Sequence, residues 1–315
     1  MQTQLKPGLN ARPGILPANP DWRTWWRLMR PHTLTASFVP VVIGTVLALP
    51  YAQLRLDLFV AMLLVSLLIQ IATNMFNEYY DHKRGLDHEH SVGIGGAIVR
   101  DGVRPKTILV LALSVLAVAL LLGLFICLRT SWWLLPIGFL CTAVGYFYSG
   151  GPWPLSATPF GELVAGVLMG LVIIVIAQFI QTGAVTSEAL LASVPTSVLI
   201  GAILMANNIR DLEDDKKHGR KTLAILLAKK KATYCLIGMF AFSYGWVVFL
   251  VIARLLTPWA LVSFFSLPKA IQASRAFSQG ATAETLMPAM ASTAQTNTLF
   301  GFCLAFGLLL QHFYP

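Results

Sequence analysis

Two clusters of acidic and amide side chains, each at the end of a long apolar segment, are the residues of this sequence best suited to chemistry. In both clusters an Asn precedes an Asp by four residues: Asn77 precedes Asp81, and Asn207 precedes Asp211. Asp215 follows after four more residues in the second cluster. Residues four apart share one face of a helix, so the oxygens of each cluster can reach one shared ion.

Carboxylate and amide oxygens are ligands that suit Mg²⁺, which keeps some of its waters and bridges to substrate phosphates. Nearby cations can donate charge-assisted hydrogen bonds to phosphate oxygens. These cations are Lys83, Arg84, Arg210, Arg220 and Lys221. The pattern therefore indicates a magnesium site for a diphosphate. The alternative is a pair of ordinary solvated loops, but two matched clusters, each with an Asn inside an apolar segment, argue against it.

The composition indicates what must position these clusters. Of the 315 residues 56% are hydrophobic and only 12% are charged, which is typical of an all-α, polytopic membrane protein. The four cysteines lie in apolar stretches and are predicted to be buried hydrophobic side chains. Nine transmembrane segments are predicted. The eighth is short and contains proline, so it is predicted to be tilted, broken or only partly inserted. They lie near residues 33–50, 58–77, 107–128, 130–149, 163–181, 189–209, 232–253, 255–268 and 292–311.

The distribution of positive charge predicts the orientation. If the N-terminus is inside and nine helices alternate, only Arg55, Arg129 and Arg254 of the 23 lysines and arginines face outward. The positive-inside rule then places the N-terminus and both acidic clusters at the cytoplasmic face of the cell (inner) membrane, among its lipids. Because the net charge of +9 is spread over short loops, it indicates no nucleic-acid partner.

Three further segments carry predictions. Residues 1–22, rich in proline, are predicted to be a flexible tail before a single transmembrane domain at 23–315. Trp22, Trp25 and Trp26, interleaved with arginines, favour an interfacial helix. The glycine-rich loop 88–105 is either a lid that closes over a bound diphosphate or a plain inner loop.

Four stretches of the sequence resemble one family. They are Arg30–Ser37, Asn74–Asp87, Tyr146–Leu155 and Asn207–Leu223. Together they resemble the UbiA superfamily of intramembrane prenyltransferases, over roughly residues 23–313, and within it the 1,4-dihydroxy-2-naphthoate polyprenyltransferases of menaquinone synthesis. The resemblance implies nine helices around a central cavity, with Mg²⁺ and diphosphate at its cytoplasmic mouth. It also implies transfer of a polyprenyl chain from its diphosphate to the aromatic acid with loss of carbon dioxide, which gives demethylmenaquinone.

The resemblance also implies roles for residues of this chain. The catalytic metal ligands would be Asn77, Asp81, Asp211 and Asp215, with Asp87 as an additional metal-binding acid. Substrate-binding residues would be Arg30, Asn74, Lys83, Arg84, Tyr146, Tyr148, Ser149, Arg210 and Lys221. A tyrosine ring, of Tyr146 or Tyr148, could stabilise a carbocation, although packing is favoured for Tyr146. His32 is predicted to be a structural histidine.

This sequence departs from the family pattern at two positions. Gly85 stands where the superfamily often has a second Asp, so Asp87 is the next acid. Asp214 stands where the naphthoate branch commonly has Gly, so it could share or compete for the role of Asp215.

Three rival functions remain open. The first keeps the chemistry and changes the aromatic acceptor to 4-hydroxybenzoate, homogentisate or haem. The second is an Asp-dependent cation transporter. The position of both acidic clusters at one membrane face argues against this function. The third, a CDP-alcohol phosphotransferase, expects a single compact Asp–Gly–Ala–Arg motif that the sequence lacks.

Overall fold

The computed structural model describes residues 20–87, 96–280 and 282–314, and these residues form helices without any strand. The predicted tail, residues 1–22, therefore lies mostly outside the described residues. The helices in chain order are α1 (Trp22–Met29), α2 (Pro31–Ala48), α3 (Leu56–Lys83), α4 (Pro105–Arg129), α5 (Leu134–Ser149), α6 (Gly161–Thr182), α7 (Ser187–Arg210), α8 (Leu212–Lys217), α9 (Leu223–Ile252), α10 (Leu267–Gln279) and α11 (Ala283–Phe313).

Seven of these helices are long and apolar enough to cross a membrane: α2, α3, α4, α6, α7, α9 and α11. Helix α5 is apolar but shorter. The predicted eighth segment is a 3₁₀ helix, Pro258–Ser266, that continues into α10. The all-α, polytopic fold predicted from composition is confirmed, with nine as an approximate count of spans. All four cysteines are free.

A tight turn at Arg30 joins the first two helices. Asp21 caps α1 by accepting a 3.0 Å hydrogen bond from the Thr24 amide, and Pro31 occupies the first position of α2. Between the helices, Arg30 adopts a left-handed conformation with φ 51°. The side-chain amide of Asn74 on α3 donates to the Met29 carbonyl at 2.8 Å, which fixes this turn against α3. The interfacial position of α1 stays a prediction, although its Trp22 and Trp26 are exposed.

Glycines allow close packing at the centre of the bundle. A Cβ atom added to Gly44 on α2 would lie 2.2 Å from the Ile174 carbonyl oxygen on α6. A Cβ atom added to Gly170 on α6 would lie 2.4 Å from the Cα atom of Ser197 on α7. Around Gly170, residues Gly166–Val172 form a π-helical segment within α6. Helices α2, α6 and α7 therefore form a rigid centre, because their backbones touch.

A cavity of about 460 Å³ lies within the bundle. Helices α2 to α7 and α11 contribute to its lining. The walls from α4 and α5 are mostly apolar, whereas Asn and Asp side chains lie where α3 and α7 end. The cavity thus combines a polar mouth with an apolar interior.

The contact at Gly44 gives a test of this packing. Gly44→Ala should lower the free energy of unfolding by about 1–3 kcal/mol, because the added methyl group meets backbone that cannot rotate away. The measurement is the thermal unfolding midpoint of the purified protein in detergent. Gly245→Ala on α9 is the matched control, since an added Cβ there meets no atom within 4 Å. Equal midpoints for the two variants would contradict the close packing.

Candidate active site

The two acidic clusters lie at the same mouth of the cavity. Asn77, Asp81 and Asp87 line it from the end of α3. Asn207 and Asp211 line it from the end of α7. The spacing of four residues puts the oxygens of each cluster on one helix face. The ends of α3 and α7 then bring the two predicted halves of the site together at the mouth.

One arginine joins the two clusters. The Arg220 side chain donates from Nη2 to Asp81 Oδ1 at 2.9 Å and from Nη1 to Asp215 Oδ1 at 3.1 Å. Its own backbone amide donates to the Asp215 carbonyl, and Lys221 is fixed by a backbone hydrogen bond to Ala157. Arg220 thus spans the mouth between two acids that come from opposite sides of the bundle.

A second arginine orients the acid at the end of α7. Arg210 donates to both carboxylate oxygens of Asp211, at 2.7 and 2.5 Å, and to Asn207 Oδ1 at 2.8 Å. Its Nη1 atom also contacts the Met290 sulfur at 2.8 Å. Arg210 is buried and lines the cavity. It holds Asn207 and Asp211 in one orientation.

The metal-ligand candidate Asn77 is supported from α5. Ser149 donates a hydrogen bond from its hydroxyl to Asn77 Oδ1. Arg84 donates to the backbone carbonyls of Ser149, at 2.5 Å, and Gly151, at 2.9 Å. Ser149 and Arg84, both predicted to bind substrate, lie outside the cavity lining and instead connect the end of α3 to the end of α5.

The remaining predicted substrate-binding residues divide into two groups. Arg30, Asn74 and Tyr148 line the cavity, as does His32. Tyr146, Lys83 and Lys221 lie outside its lining. Tyr146 shares a 2.5 Å hydrogen bond with Tyr80 and packs edge-on against Phe76, which is a packing role. Lys83 and Lys221 are exposed to solvent.

The turn at Gly85 explains one departure from the family pattern. Gly85 has φ 71°, and the amides of Gly85 and Leu86 donate to the carbonyls of His82 and Asp81. This pair of bonds is a Schellman motif, which ends α3 and favours glycine. The chain then turns back, and Asp87 reaches the cavity lining. Asp214 and the predicted metal ligand Asp215, by contrast, both lie outside the lining, although Asp215 pairs with Arg220, which is part of it.

Sequence reasoning missed two buried acids near the mouth. Glu78 is fully buried between Asn77 and Asp81 in the sequence. Glu162 on α6 is also buried and accepts a hydrogen bond of 2.9 Å from Asn208. The sequence signal for Glu78 was its position inside the first cluster, directly after Asn77, which lines the cavity. Glu162 carried no comparable signal, since it begins an apolar helix with no neighbouring motif.

The donor set suits a hard cation. The candidate ligands at the mouth are oxygen atoms, which Mg²⁺ prefers. They belong to the lining residues Asn77, Asp81, Asp87, Asn207 and Asp211, and to Asp215 beside the lining. In the described parts of the chain no three His, Cys, Asp or Glu side chains converge on one point, so an ion here would also need phosphate or water oxygens. Such shared ligation is typical of Mg²⁺ bound with a substrate phosphate. The residues that would hold it are Asn77, Asp81, Asp87, Asp211 and Asp215.

Two acids at the mouth resist ionisation. Burial raises the pKa of Asp87 to about 7, and the neighbouring carboxylates of Asp81 and Glu78 add to the rise. Burial also raises the pKa of Asp215 to about 6, although Arg220 opposes the shift. Both shifts arise mainly from burial, and a cation bound beside these acids would favour their ionised forms.

Helices packed around an apolar cavity with an acid-lined mouth define a membrane protein that handles a ligand with a charged head and an apolar body. The chain belongs to the UbiA prenyltransferase family, whose model matches residues 37–285. The family and enzyme class predicted from the motifs are thus confirmed.

Relatives and solved structures agree with this assignment. The chain is 56% identical to 1,4-dihydroxy-2-naphthoate octaprenyltransferase of Bacillus subtilis, over 91% of this chain and 93% of the relative. It is 31% identical to the Mycobacterium tuberculosis protein of the same name, over 90% and 98%. A UbiA homolog from Archaeoglobus fulgidus bound to DMAPP and Mg²⁺ matches with a TM-score of 0.62 and 18% identity, over 90% of this chain and 99% of that one. An apo homolog from Aeropyrum pernix matches with a TM-score of 0.65 and 18% identity, over 89% and 98%. These two structures share the fold.

The raised pKa of Asp87 gives a testable stability profile. Between pH 4 and pH 7 the folded protein keeps a proton on Asp87 that the unfolded chain loses near its ordinary pKa of 3.8, so this group destabilises the fold as pH rises. Asp87→Asn removes that effect. In metal-free detergent buffer we expect the variant to unfold several degrees above wild type at pH 8 and at the same temperature at pH 4. The same difference at both pH values would contradict the shift.

Proposed function

We propose that this protein transfers a polyprenyl chain from its diphosphate to 1,4-dihydroxy-2-naphthoate, with Mg²⁺ as cofactor and loss of carbon dioxide. The observation that carries the proposal is the position of both acid clusters at one mouth of a single apolar cavity. The name of the 56% identical relative from Bacillus subtilis supports the acceptor. The homolog bound to DMAPP and Mg²⁺ has the same fold and supports the metal and the prenyl donor.

The polar mouth suits the diphosphate. Mg²⁺, when bound, would neutralise the diphosphate charge that grows as the carbon–oxygen bond breaks. Arg30, Arg100, Arg210 and Arg220 line the same mouth and can donate charge-assisted hydrogen bonds to phosphate oxygens. Arg220 is placed to act on both sides, since it already spans Asp81 and Asp215. These cations would hold the leaving diphosphate after cleavage.

The apolar interior suits the prenyl chain. Leu120, Leu124 and Phe139 line the cavity on the α4 and α5 side, and Gly123 and Gly138 leave room between them. These apolar walls match the hydrocarbon of the prenyl chain, so a long tail can move from the lipid into the cavity without burying an unpaired polar group. The same walls exclude water from the allylic cation.

The transfer step needs a stabilised cation and an electron-rich ring. Tyr148 lines the cavity beside the mouth, where its ring face can stabilise the allylic cation. The naphthoate ring carbon that carries the carboxylate forms the new bond to the prenyl carbon. The bond to the carboxylate then breaks, carbon dioxide leaves, and its electron pair restores the aromatic ring. The product is demethylmenaquinone in its hydroquinone form.

The acids at the mouth provide the test of this function. Asp81→Ala and Asp211→Ala should each lower turnover by about 100-fold or more. Each variant removes a carboxylate that would hold Mg²⁺, so the charge on the diphosphate is then less well neutralised. The assay is mass spectrometry of the lipid made by purified protein from Mg²⁺, a defined polyprenyl diphosphate and 1,4-dihydroxy-2-naphthoate. Glu213→Ala, an exposed acid of the second cluster, should stay active. Full activity in either Asp variant would overturn the assignment. Parallel reactions with 4-hydroxybenzoate and homogentisate test the acceptor. Faster transfer to either compound would identify it, and not the naphthoate, as the acceptor substrate.

The distribution of Lys and Arg supports a multi-pass location in the cell membrane with the mouth on the cytoplasmic side. Two exposed positions test this orientation in a variant whose four cysteines are replaced by Ala. Lys217→Cys lies on α8 beside the mouth, and Ala184→Cys lies between α6 and α7. In intact spheroplasts a membrane-impermeant maleimide should label position 184 and leave position 217 unlabelled until the cells are broken. The reverse pattern would place the mouth outside.

A further inference from the structure

Glu78 is a buried carboxylate whose position none of the preceding chemistry explains. It is 0% exposed and lies on α3 directly after Asn77 and three residues before Asp81. Both of those neighbours line the cavity, whereas Glu78 does not. A carboxylate is costly to bury unless it is paired, so its partners indicate its role.

The described hydrogen-bond donors to Glu78 belong to residues 96–104, which we call the packed loop. The Gly96 amide donates to both carboxylate oxygens, at 2.8 and 3.0 Å, and the Ile98 amide donates at 3.2 Å. The guanidinium of Arg30 lies 3.9 Å away. Hydrogen bonds to a charged acceptor are about twice as strong as neutral ones, so Glu78 fixes the start of the packed loop to α3.

Other contacts fix the rest of the packed loop. Ala97, Ile98 and Val103 are buried in one apolar cluster with Leu28 of α1 and Phe76 of α3. On the surface, Asp101 pairs with Arg27 of α1 at 2.8 Å. The predicted lid, residues 88–105, therefore consists of a packed part and residues 88–95, which lie outside the described residues.

The packed loop places an arginine at the cavity mouth. The Arg100 amide donates to the Gly96 carbonyl at 2.8 Å, and the Arg100 side chain folds back over Gly96. A Cβ atom added to Gly96 would lie 2.3 Å from Arg100 Nε, and Gly96 has φ 105°. Only glycine fits this conformation and this contact easily. Gly96 and Arg100 both line the cavity that Asp81 and Asp87 also line.

We propose that Glu78 is a positioning residue: by fixing Gly96 and facing Arg30, it holds the Arg100 and Arg30 guanidinium groups at the mouth to receive the diphosphate. This inference rests on the proposed function, because it takes the anion at the mouth to be the prenyl diphosphate. Glu78 itself touches neither the cavity nor the substrate. Its carboxylate acts through the backbone amides of the packed loop.

A double-mutant cycle tests the proposal. Glu78→Gln keeps the size of the side chain but removes the charge and one acceptor oxygen. We expect it to raise the KM for the prenyl diphosphate about tenfold, with kcat nearly unchanged. Arg100→Gln should have a similar effect. Because Glu78 acts through Arg100, the double variant should be no worse than about the poorer single variant.

Two further variants make the outcome decisive. Asp101→Asn weakens the same loop on its outer side, so it should lower the unfolding temperature and leave KM unchanged. Gly96→Ala keeps the Glu78 carboxylate but displaces Arg100 and strains the backbone amide that Glu78 holds. It should therefore reproduce the rise in KM, and it decides the question if Glu78→Gln does not fold. Effects that multiply in the double variant, or an unchanged KM in Glu78→Gln or Gly96→Ala, would overturn the proposal. Wild-type protein that made no prenylated naphthalene would instead overturn the proposed function.

Discussion

The site depends on balancing several carboxylates in a small, half-buried volume at the edge of the bundle. Arg220 provides much of that balance, since one guanidinium contacts Asp81 from α3 and Asp215 from α8. Arg210 in turn pairs with the single carboxylate of Asp211. Burial raises the pKa of Asp87, and the nearby carboxylates of Asp81 and Glu78 raise it further, because like charges at short range destabilise one another. An acid cluster held this way has residual affinity for added positive charge, which is the property that a metal-dependent diphosphate site requires.

The helices hold the charged groups in fixed positions because the centre of the bundle is rigid. Backbone contact at Gly44 and Gly170 fixes α2, α6 and α7 relative to one another, so the end of α7 has a defined position. On the other side, Arg84 and Ser149 tie the end of α3 to the end of α5. Asp81 and Asp211 therefore stand at fixed helix ends, whereas Asp87 follows the turn that ends α3. Preorganised charge of this kind costs little rearrangement when an ionic substrate arrives.

Two local patterns in the sequence, apolar runs and the spacing of polar residues, predicted the helical fold and the side chains that share a helix face at the site. Apolar runs longer than a helical membrane crossing predicted the spans, and the spacing of Asn77 with Asp81 predicted which side chains share a face. The rest depends on contacts between distant segments, which spacing does not encode. Arg220 and Lys221 are adjacent and equally basic, yet the first is held between two acids and the second is exposed. Ser149 supports Asn77 only because α5 ends beside α3. Glu78 shows the same limit, since its partners begin 18 residues later in the chain.

The left-handed turn at Arg30 sets stability against function at a single position. A non-glycine residue at φ 51° carries conformational strain of about 1–2 kcal/mol. The buried Nε atom of Arg30 also has no hydrogen-bond partner among the residues that the structure describes. Glycine there would relieve both costs, but it would remove the charge that faces the cavity and the guanidinium that lies 3.9 Å from the buried Glu78 carboxylate. Under the proposed function, the arginine keeps this strained position because its guanidinium group helps to receive the diphosphate. Conformational strain at one backbone position can in this way mark where a membrane enzyme gives up robustness for substrate capture.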